Sequence, residues 1–360
     1  MKVGMLTSGG DCQGLNSALR GVAKALYQEF GERVTIYGIQ DGYRGLIEGK
    51  YREMRSRDFS DILTVGGTIL GTSRQPFKEM QKSDEESEET KLDKMLATYK
   101  QEGFDALVIL GGNGTHKTAH LLSQHGCNVI TLPKTIDNDL WGTEMTFGFQ
   151  SAIDIATTVI DSIHSTAFSH SRVFIVEVMG HKAGWLTLHA GIASGADVII
   201  IPEIPYSAKK VAEALDRRQR NGKRFSIIAV AEGAISKEEA KMSKKEFKAV
   251  RAEMAKTYPS ISYRLADELK EITGQEIRVT IPGHYQRGGA PCAYDRLLTS
   301  RFGVAAAKLI KEKKYGNMVA LQSNKIVPVP LSEVAGRLKS VPPDDDVVQA
   351  ARLLGLSFGD

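Results

Sequence analysis

Two carboxylates stand two residues apart in Pro133-Lys134-Thr135-Ile136-Asp137-Asn138-Asp139, directly after the apolar run Asn128-Val129-Ile130-Thr131-Leu132. A buried strand that ends in this way must hold polar groups at a sheet edge, where leaving them unpaired is costly. The arrangement suits a proton acceptor beside a cation. An Asx-rich turn without chemistry has the same local composition, so the segment takes its meaning from its companions.

Upstream, Ala106-Leu107-Val108-Ile109-Leu110 reads as a buried strand that runs into Gly111-Gly112-Asn113-Gly114-Thr115 and then into the helical pattern of Ala119, Leu121 and Leu122. Glycines in such a loop let backbone amides approach a phosphate, and the start of the following helix favours an anion. The beginning of the chain has the same order: an apolar strand from Met1 to Leu6, the loop Thr7-Ser8-Gly9-Gly10-Asp11, and a helix carrying Leu19, Val22, Ala23 and Leu26, with Asn16 placed as its cap. Either loop alone also fits a tight turn between strand and helix. Downstream, Ile277-Arg278-Val279-Thr280-Ile281-Pro282-Gly283-His284-Tyr285-Gln286-Arg287-Gly288-Gly289 ends another strand in one His and one Arg, with Arg278 behind them. Guanidinium forks match phosphate oxygens in pairs, so this cluster suits a phosphorylated substrate.

These loops need parallel strands to carry them. Strands near Lys2 to Leu6, Val34 to Ile39, Ala106 to Leu110 and Asn128 to Leu132 alternate with helical patterns, which predicts an α/β lobe with a mostly parallel sheet. After a helix from Ala152 to Ala167, a second series follows near Val173 to Val178, Val198 to Ile201, Ser226 to Val230 and Ile277 to Ile281. The expected fold is two similar three-layer α/β lobes, with the Asp-Asn-Asp and His-Arg motifs facing each other across a cleft. Lys82 to Lys94, with Asp84, Glu85, Glu86, Glu88 and Glu89, reads as a solvated face or loop, and Lys237 to Lys270 as a surface helical hairpin. Pro342-Pro343-Asp344-Asp345-Asp346 predicts the start of a C-terminal helix.

A length of 360 residues with 42% hydrophobic content suits a soluble protein of two lobes. The net charge of +4 offers no footprint for nucleic acid, and no apolar stretch reaches membrane-spanning length. The chain starts on a core strand and not on a signal peptide. Cys12, Cys127 and Cys292 lack disulfide or metal spacing, which fits a reducing cytoplasm.

Taken together, Thr7-Ser8-Gly9-Gly10-Asp11, Leu70-Gly71-Thr72-Ser73-Arg74, Gly111-Gly112-Asn113-Gly114-Thr115, Thr135-Ile136-Asp137-Asn138-Asp139, Val176-Glu177-Val178-Met179-Gly180 and Pro282 to Gly289 resemble the phosphofructokinase family, in family order, as far as Tyr294-Asp295-Arg296. The resemblance implies a donor lobe of residues 1–148 with about 287–335, and a sugar-phosphate lobe of 149–286 with the C-terminal helix. It implies phosphorylation of fructose 6-phosphate at its 1-hydroxyl by ATP with Mg2+. In that reading Asp137 is the general base, Thr135 contacts the sugar or the metal shell, and Asp139 orients the site or helps Asn113 hold magnesium. Gly10, Gly112, Gly114 and Thr115 line the donor phosphates, Arg74 neutralises the transferring group, and Tyr43 flanks the donor. Met179, Gly180 and His181 line the substrate, Glu232 and His284 bind sugar hydroxyls, and Arg172, Arg278 and Arg287 bind the 6-phosphate. The counterparts of Arg172 and Arg278 reach in from a neighbouring subunit, so a homo-oligomer, typically a tetramer, is implied.

Three residues depart from the family pattern. Asn113 stands where Asp is usual, His181 where Arg is usual, and Thr118 where many ATP-using members have Gly, so that its bulk is expected to narrow the nucleotide pocket. Pyrophosphate-dependent members carry Asp at the position of Gly114, which would crowd and repel a nucleotide's α-phosphate. Gly114 with Lys134 favours ATP. The alternatives are a pyrophosphate-dependent phosphotransferase and a sugar-phosphate-binding regulator with impaired catalysis.

Overall fold

Runs as thoroughly buried as Ala106–Gly111 and Ser226–Ala231 have no face for solvent, and both lie inside parallel sheets. The computed structural model describes residues 1–84 and 87–360; Glu85 and Glu86 of the charge-rich stretch lie outside the described residues. In chain order the strands are β1 (Lys2–Thr7), β2 (Thr35–Ile39), β3 (Tyr51–Met54), β4 (Ser83–Asp84), β5 (Ser87–Thr90), β6 (Ala106–Gly111), β7 (Val129–Pro133), β8 (Val173–Val178), β9 (Val198–Ile200), β10 (Ser226–Ala231), β11 (Ile277–Thr280), β12 (Asn317–Gln322) and β13 (Lys325–Pro330).

The chain divides into two units, the first made of Met1–Ser151 and Arg287–Lys339, the second of Ala152–Gln286 and Ser340–Asp360. Unit 1 holds a seven-stranded sheet in the order β13-β12-β7-β6-β1-β2-β3. Its centre is parallel, and its two edge pairs, β2 with β3 and β12 with β13, are antiparallel. Leu107 and Ile109 join Leu46, Met95, Ala119 and Leu122 in one buried cluster, while Val108 and Leu110 alternate to the opposite face. The edge strands were not expected from the sequence. In β13 the motif carries Pro328 and Pro330, which lower any strand expectation but are tolerated where no further strand must be paired.

Unit 2 holds the all-parallel sheet β11-β8-β10-β9, with Val173, Ile175, Ile228 and Val230 packed against Leu215, Leu265 and Leu269. The α/β architecture with mostly parallel sheets is as expected, but local readings need correction. The segment from Lys237 to Lys270 is not a plain surface hairpin. Its first helix, Lys244–Thr257, buries nothing, whereas Ile261–Thr273 sets Ile261, Leu265 and Leu269 into the core at a spacing of four. Arg264 of that helix is buried on Glu239, 2.9 Å away, and donates to the Tyr206 hydroxyl at 2.8 Å. Of the charged stretch, the described part forms β4, β5 and a helix, Lys91–Glu102, that opens with Thr90 and Asp93 capping each other. Asn16 caps nothing: the helix Leu15–Phe30 starts before it, and its side chain instead donates to the carbonyls of Val65 and Gly66 and accepts from the Ile69 amide at 2.8 Å. At the other end of the chain Asp345 caps the helix Asp346–Leu353.

The helices Leu15–Phe30 and Ala293–Lys311 touch backbone to backbone. A Cβ on Gly303 would lie 2.3 Å from the Gly21 carbonyl carbon and 2.4 Å from the Val22 nitrogen, atoms that cannot rotate away. Gly303→Ala should therefore destabilise unit 1 by about 1–3 kcal/mol, the usual cost of overpacking. Urea and thermal unfolding read this directly, and an unchanged midpoint would mean that the helices part without cost.

Candidate active site

β7, β6 and β1 are adjacent and parallel, so their three following loops finish at one sheet edge, the usual ligand edge of such sheets. The loops are also bonded to one another. Ser8 N donates to Leu110 O at 2.9 Å, Lys134 N to Gly111 O at 3.0 Å, and Gly9 N to Ser73 O at 3.1 Å. The Thr72 hydroxyl donates to Gly9 O at 2.8 Å, which brings the Arg74 segment to the same edge. A Cβ on Gly10 would meet Arg287 Nη1 at 3.1 Å and Arg74 Nη2 at 3.4 Å, so both guanidiniums lean on this peptide. Arg287 also donates to Asp11 O at 3.0 Å, which puts it on the glycine loop of unit 1. The buried Lys134 ammonium donates to Gly10 O. Burial pushes this ammonium below the ordinary lysine range and Arg287 adds to the effect, while Cys12, Asp137 and Asp11 oppose it. Three cations around one glycine peptide make a strong site for a phosphate.

The second glycine loop is braced from behind. Tyr43 is enclosed, and its hydroxyl donates to Thr115 O at 2.8 Å, so it supports the loop and does not flank a donor as expected. Asn113 spends its amide on Arg337 O at 2.8 Å, and the Arg337 guanidinium lies 4.2 Å from the centre of the Trp141 ring. Gly114 is exposed, with nothing within 4 Å of a Cβ placed on it. Thr118 is turned into its own helix, buried, with its hydroxyl 3.5 Å from Gly114 O, so it does not project as the sequence suggested.

In the Thr135 to Asp139 turn the Asp137 amide donates to Thr135 Oγ1 at 3.0 Å and Asn138 takes a left-handed φ of 50°. Asp137 Oδ1 is enclosed and has no hydrogen-bond partner. Asp139 is nearly buried. Beside it stands a lysine that sequence reasoning missed, Lys339, whose backbone amide donates to Asp139 O at 2.9 Å. Burial pushes the Lys339 ammonium down to about 8, against the opposing pull of Asp139 and Glu144. No group of three or more His, Cys, Asp and Glu among the described residues could cage a metal. The two metal candidates, Asn113 and Asp139, stand on the segments that follow the neighbouring strands β6 and β7.

Unit 2 separates its candidates along the sheet. Met179, Gly180, His181 and Glu232 follow the carboxyl ends of β8 and β10. His181 N donates to Glu232 Oε1 at 2.8 Å, and Met179 N donates to Gln286 Oε1 at 3.2 Å. Gln286 is buried and ties this loop to the turn that carries the exposed His284, a role its place in the motif did not reveal. Gly180 at φ 148° and His181 at φ 52° both sit in the region that favours glycine, which marks the loop as tightly constrained. Arg172, by contrast, precedes β8, and Arg278 lies in the neighbouring β11. Both pair with Glu276, Arg172 at 2.7 Å, and sequence reasoning missed this carboxylate too. From Arg172 to Met179 the chain is extended over a distance of roughly 23 Å.

His116, under the second glycine loop, is fully buried. Its Nδ1–H donates to Gly112 O at 2.9 Å, while Nε2 has no partner. Burial, with a smaller push from Lys134, brings its pKa down to about 4. The unfolded chain binds this proton from about pH 6.5 downward and the folded protein only near 4, so the stability is complete above pH 6.5 and is lost as pH falls toward 4. The loss is on the order of 3 kcal/mol. His116→Gln should therefore show a shallower fall in urea midpoint between pH 7 and pH 4.5 than the parent protein, and equal slopes would remove His116 as the acid-sensitive group.

Comparison with known proteins agrees with this geometry. The family model described as Phosphofructokinase matches residues 2–310. A protein of Spirochaeta thermophila named ATP-dependent 6-phosphofructokinase is 56% identical over 359 residues, covering 99% of this chain and 97% of its own length. The T-state phosphofructokinase of Pichia pastoris superposes with a TM-score of 0.78 at 34% identity over 92% of this chain, which spans 35% of that longer one. At 21% identity the pyrophosphate-dependent phosphofructokinase of Marinobacter aquaeolei shares the fold, with a TM-score of 0.80 over 96% of this chain and 87% of that one. With the family model matched over residues 2–310 and a relative 56% identical along nearly the whole length of both chains, this chain belongs to the phosphofructokinase family.

Proposed function

We propose that the protein transfers the γ-phosphoryl group of ATP to the 1-hydroxyl of fructose 6-phosphate, giving fructose 1,6-bisphosphate and ADP. The observation that carries this reading is Asp137 Oδ1, an enclosed carboxylate oxygen with no hydrogen-bond partner at the sheet edge where Arg74, Lys134 and Arg287 gather on the glycine loop. A general base needs a free lone pair where the proton leaves, and phosphoryl transfer needs positive charge where the phosphate sits. As the hydroxyl oxygen bonds to phosphorus, its proton passes to Asp137 and the bond to ADP breaks. The Gly10, Gly112 and Thr115 backbone would receive the donor phosphates, and Asp139 with Asn113 would hold Mg2+, which neutralises phosphate charge when bound. Gly114 supports ATP as donor because the space beside it is open. The name carried by the Spirochaeta thermophila relative supports the same choice.

On this reading unit 1 carries donor chemistry and unit 2 carries sugar-phosphate recognition through Met179, Gly180, His181, Glu232 and His284. Arg172 and Arg278, gathered on Glu276, would serve the 6-phosphate of a neighbouring copy in a homotetramer. The three free cysteines suit a reducing cytoplasm as the compartment.

A coupled assay with ATP and pyrophosphate in parallel tests the reading. ATP should give the higher kcat/KM, and Asp137→Ala should lower kcat at least about a hundredfold while calorimetric binding of fructose 6-phosphate survives. Gly114→Asp, whose Cβ meets no protein atom within 4 Å, should cancel the preference for ATP by placing a carboxylate beside its phosphates. Efficient turnover of pyrophosphate with little of ATP would reverse the donor assignment. For the shared site, reassembling inactive Arg278→Ala with inactive Asp137→Ala should restore activity, and verified hybrids without it would place each site within one copy.

A further inference from the structure

The loop that carries the two carboxylates is closed at its base by a bridge between Lys134 and Phe147. Its reactive turn places a non-glycine residue, Asn138, in the left-handed region, a conformation that needs support from outside. Part of the support is local. Thr146 N donates to Asn138 Oδ1 at 3.0 Å, Asn138 Nδ2 donates to Glu144 O at 3.2 Å, and the Thr146 hydroxyl donates to Thr135 O at 2.8 Å. The rest comes from one side chain about two hundred residues later in the chain. Lys339 Nζ donates to Asn138 Oδ1 at 3.0 Å, Thr143 O at 2.9 Å and Glu144 O at 2.9 Å, which matches three ammonium protons to three acceptors. Its backbone amide holds Asp139 O, and the preceding Leu338 bridges Leu140. Lys339 thus grips both arms of the loop and the residue between the two carboxylates, without reaching Asp137 itself.

We propose that Lys339 is a positioning residue for catalysis, which holds Asp137 and Asp139 in reactive geometry by acting through Asn138. The proposal rests on the reading of Asp137 as general base. Its logic is geometric, since a displacement of about 1 Å at a reacting group can cost about a hundredfold in rate. A residue that serves folding alone would change stability and leave the kinetics of the folded molecules intact. A positioning residue lowers kcat and spares KM, because substrate is still bound while the proton acceptor is misplaced.

The test is a double-mutant cycle of Lys339→Met and Asn138→Ala in the full chain, assayed with ATP, Mg2+ and fructose 6-phosphate, with thermal midpoints alongside. Each single variant should lose about tenfold to a hundredfold in kcat with KM for fructose 6-phosphate within about twofold of the parent, and the double variant should lose no more than the worse single one. Losses that multiply, or a parental kcat in folded Lys339→Met, overturn the proposal. Should Lys339→Met not fold, Asn138→Ala decides alone, because it removes the oxygen through which Lys339 acts, and a parental kcat in it is equally fatal. A parent protein inactive on fructose 6-phosphate sinks the functional reading instead. Hydrogen exchange then judges the positioning claim: Lys339→Met should exchange faster at the amides of residues 135–146 with β6 unchanged, and unaltered exchange in the loop overturns it.

Discussion

The bond from the Lys134 ammonium to the Gly10 carbonyl fixes the active edge of unit 1. A buried ammonium is tolerable only where acceptors meet it, and the acceptor offered here belongs to a different strand's loop. The same residue's backbone amide is bound to Gly111 O, so one lysine links the loop after β7 to the loops after β1 and β6. Arg74 and Arg287 also lean on the Gly10 peptide. The result is a local excess of positive charge, partly offset by Asp11 and Asp137. A polyanionic phosphate relieves that excess, and for this reason the arrangement is better suited to a loaded site than to a self-contained one.

Unit 2 handles its cations differently. Arg172 and Arg278 are not crowded together without relief but share the carboxylate of Glu276 at the surface. Exposed ion pairs of this type contribute about 0–1 kcal/mol, so on the proposed reading exchanging the carboxylate for phosphate oxygens would cost little. The loop of Met179 to His181 is costlier to build. Its two residues at positive φ persist because Gln286 and Glu232 hold the flanking amides, and because Gly233 leaves room for the His181 carbonyl, 2.0 Å from where a Cβ would stand. The arginines share one surface carboxylate, whereas the loop rests on constrained backbone.

The loops and strands that carry the candidate site were legible in the sequence wherever position is set locally. The glycine loops, the Asp137 to Asp139 turn and the strands that carry them need only neighbours in sequence to be read. What escaped notice depends on partners far along the chain. Lys339 meets Asn138 across 201 residues, and Glu276 meets Arg172 across 104. Nothing in the immediate surroundings of either residue marks it. Residue type does not tell which face a side chain takes, and packing turns Tyr43 and Thr118 inward. The charge of the helix Ile261–Thr273 suggests a surface element, but its apolar spacing of four is the better guide, and the buried Arg264 is tolerated through Glu239 and Tyr206. Asn16 lost its capping role to a loop that offered its side chain three backbone partners.

The length of β8 sets a further constraint on how the molecule can act. Six residues of strand separate Arg172 from Met179, and at about 3.3 Å per residue this exceeds what an arginine side chain or a hexose phosphate can bridge. Both ends of the strand nevertheless carry groups of the proposed sugar-phosphate chemistry: guanidiniums at one, and a constrained backbone loop with Glu232 at the other. Bending the sheet cannot unite them, because β8 pairs in register with β10 and β11 along its length. On the proposed reading, then, one copy of unit 2 cannot supply both halves of its own substrate site. Under that reading the 6-phosphate of one copy would be met by Arg172 and Arg278 of another, as proposed for the homotetramer.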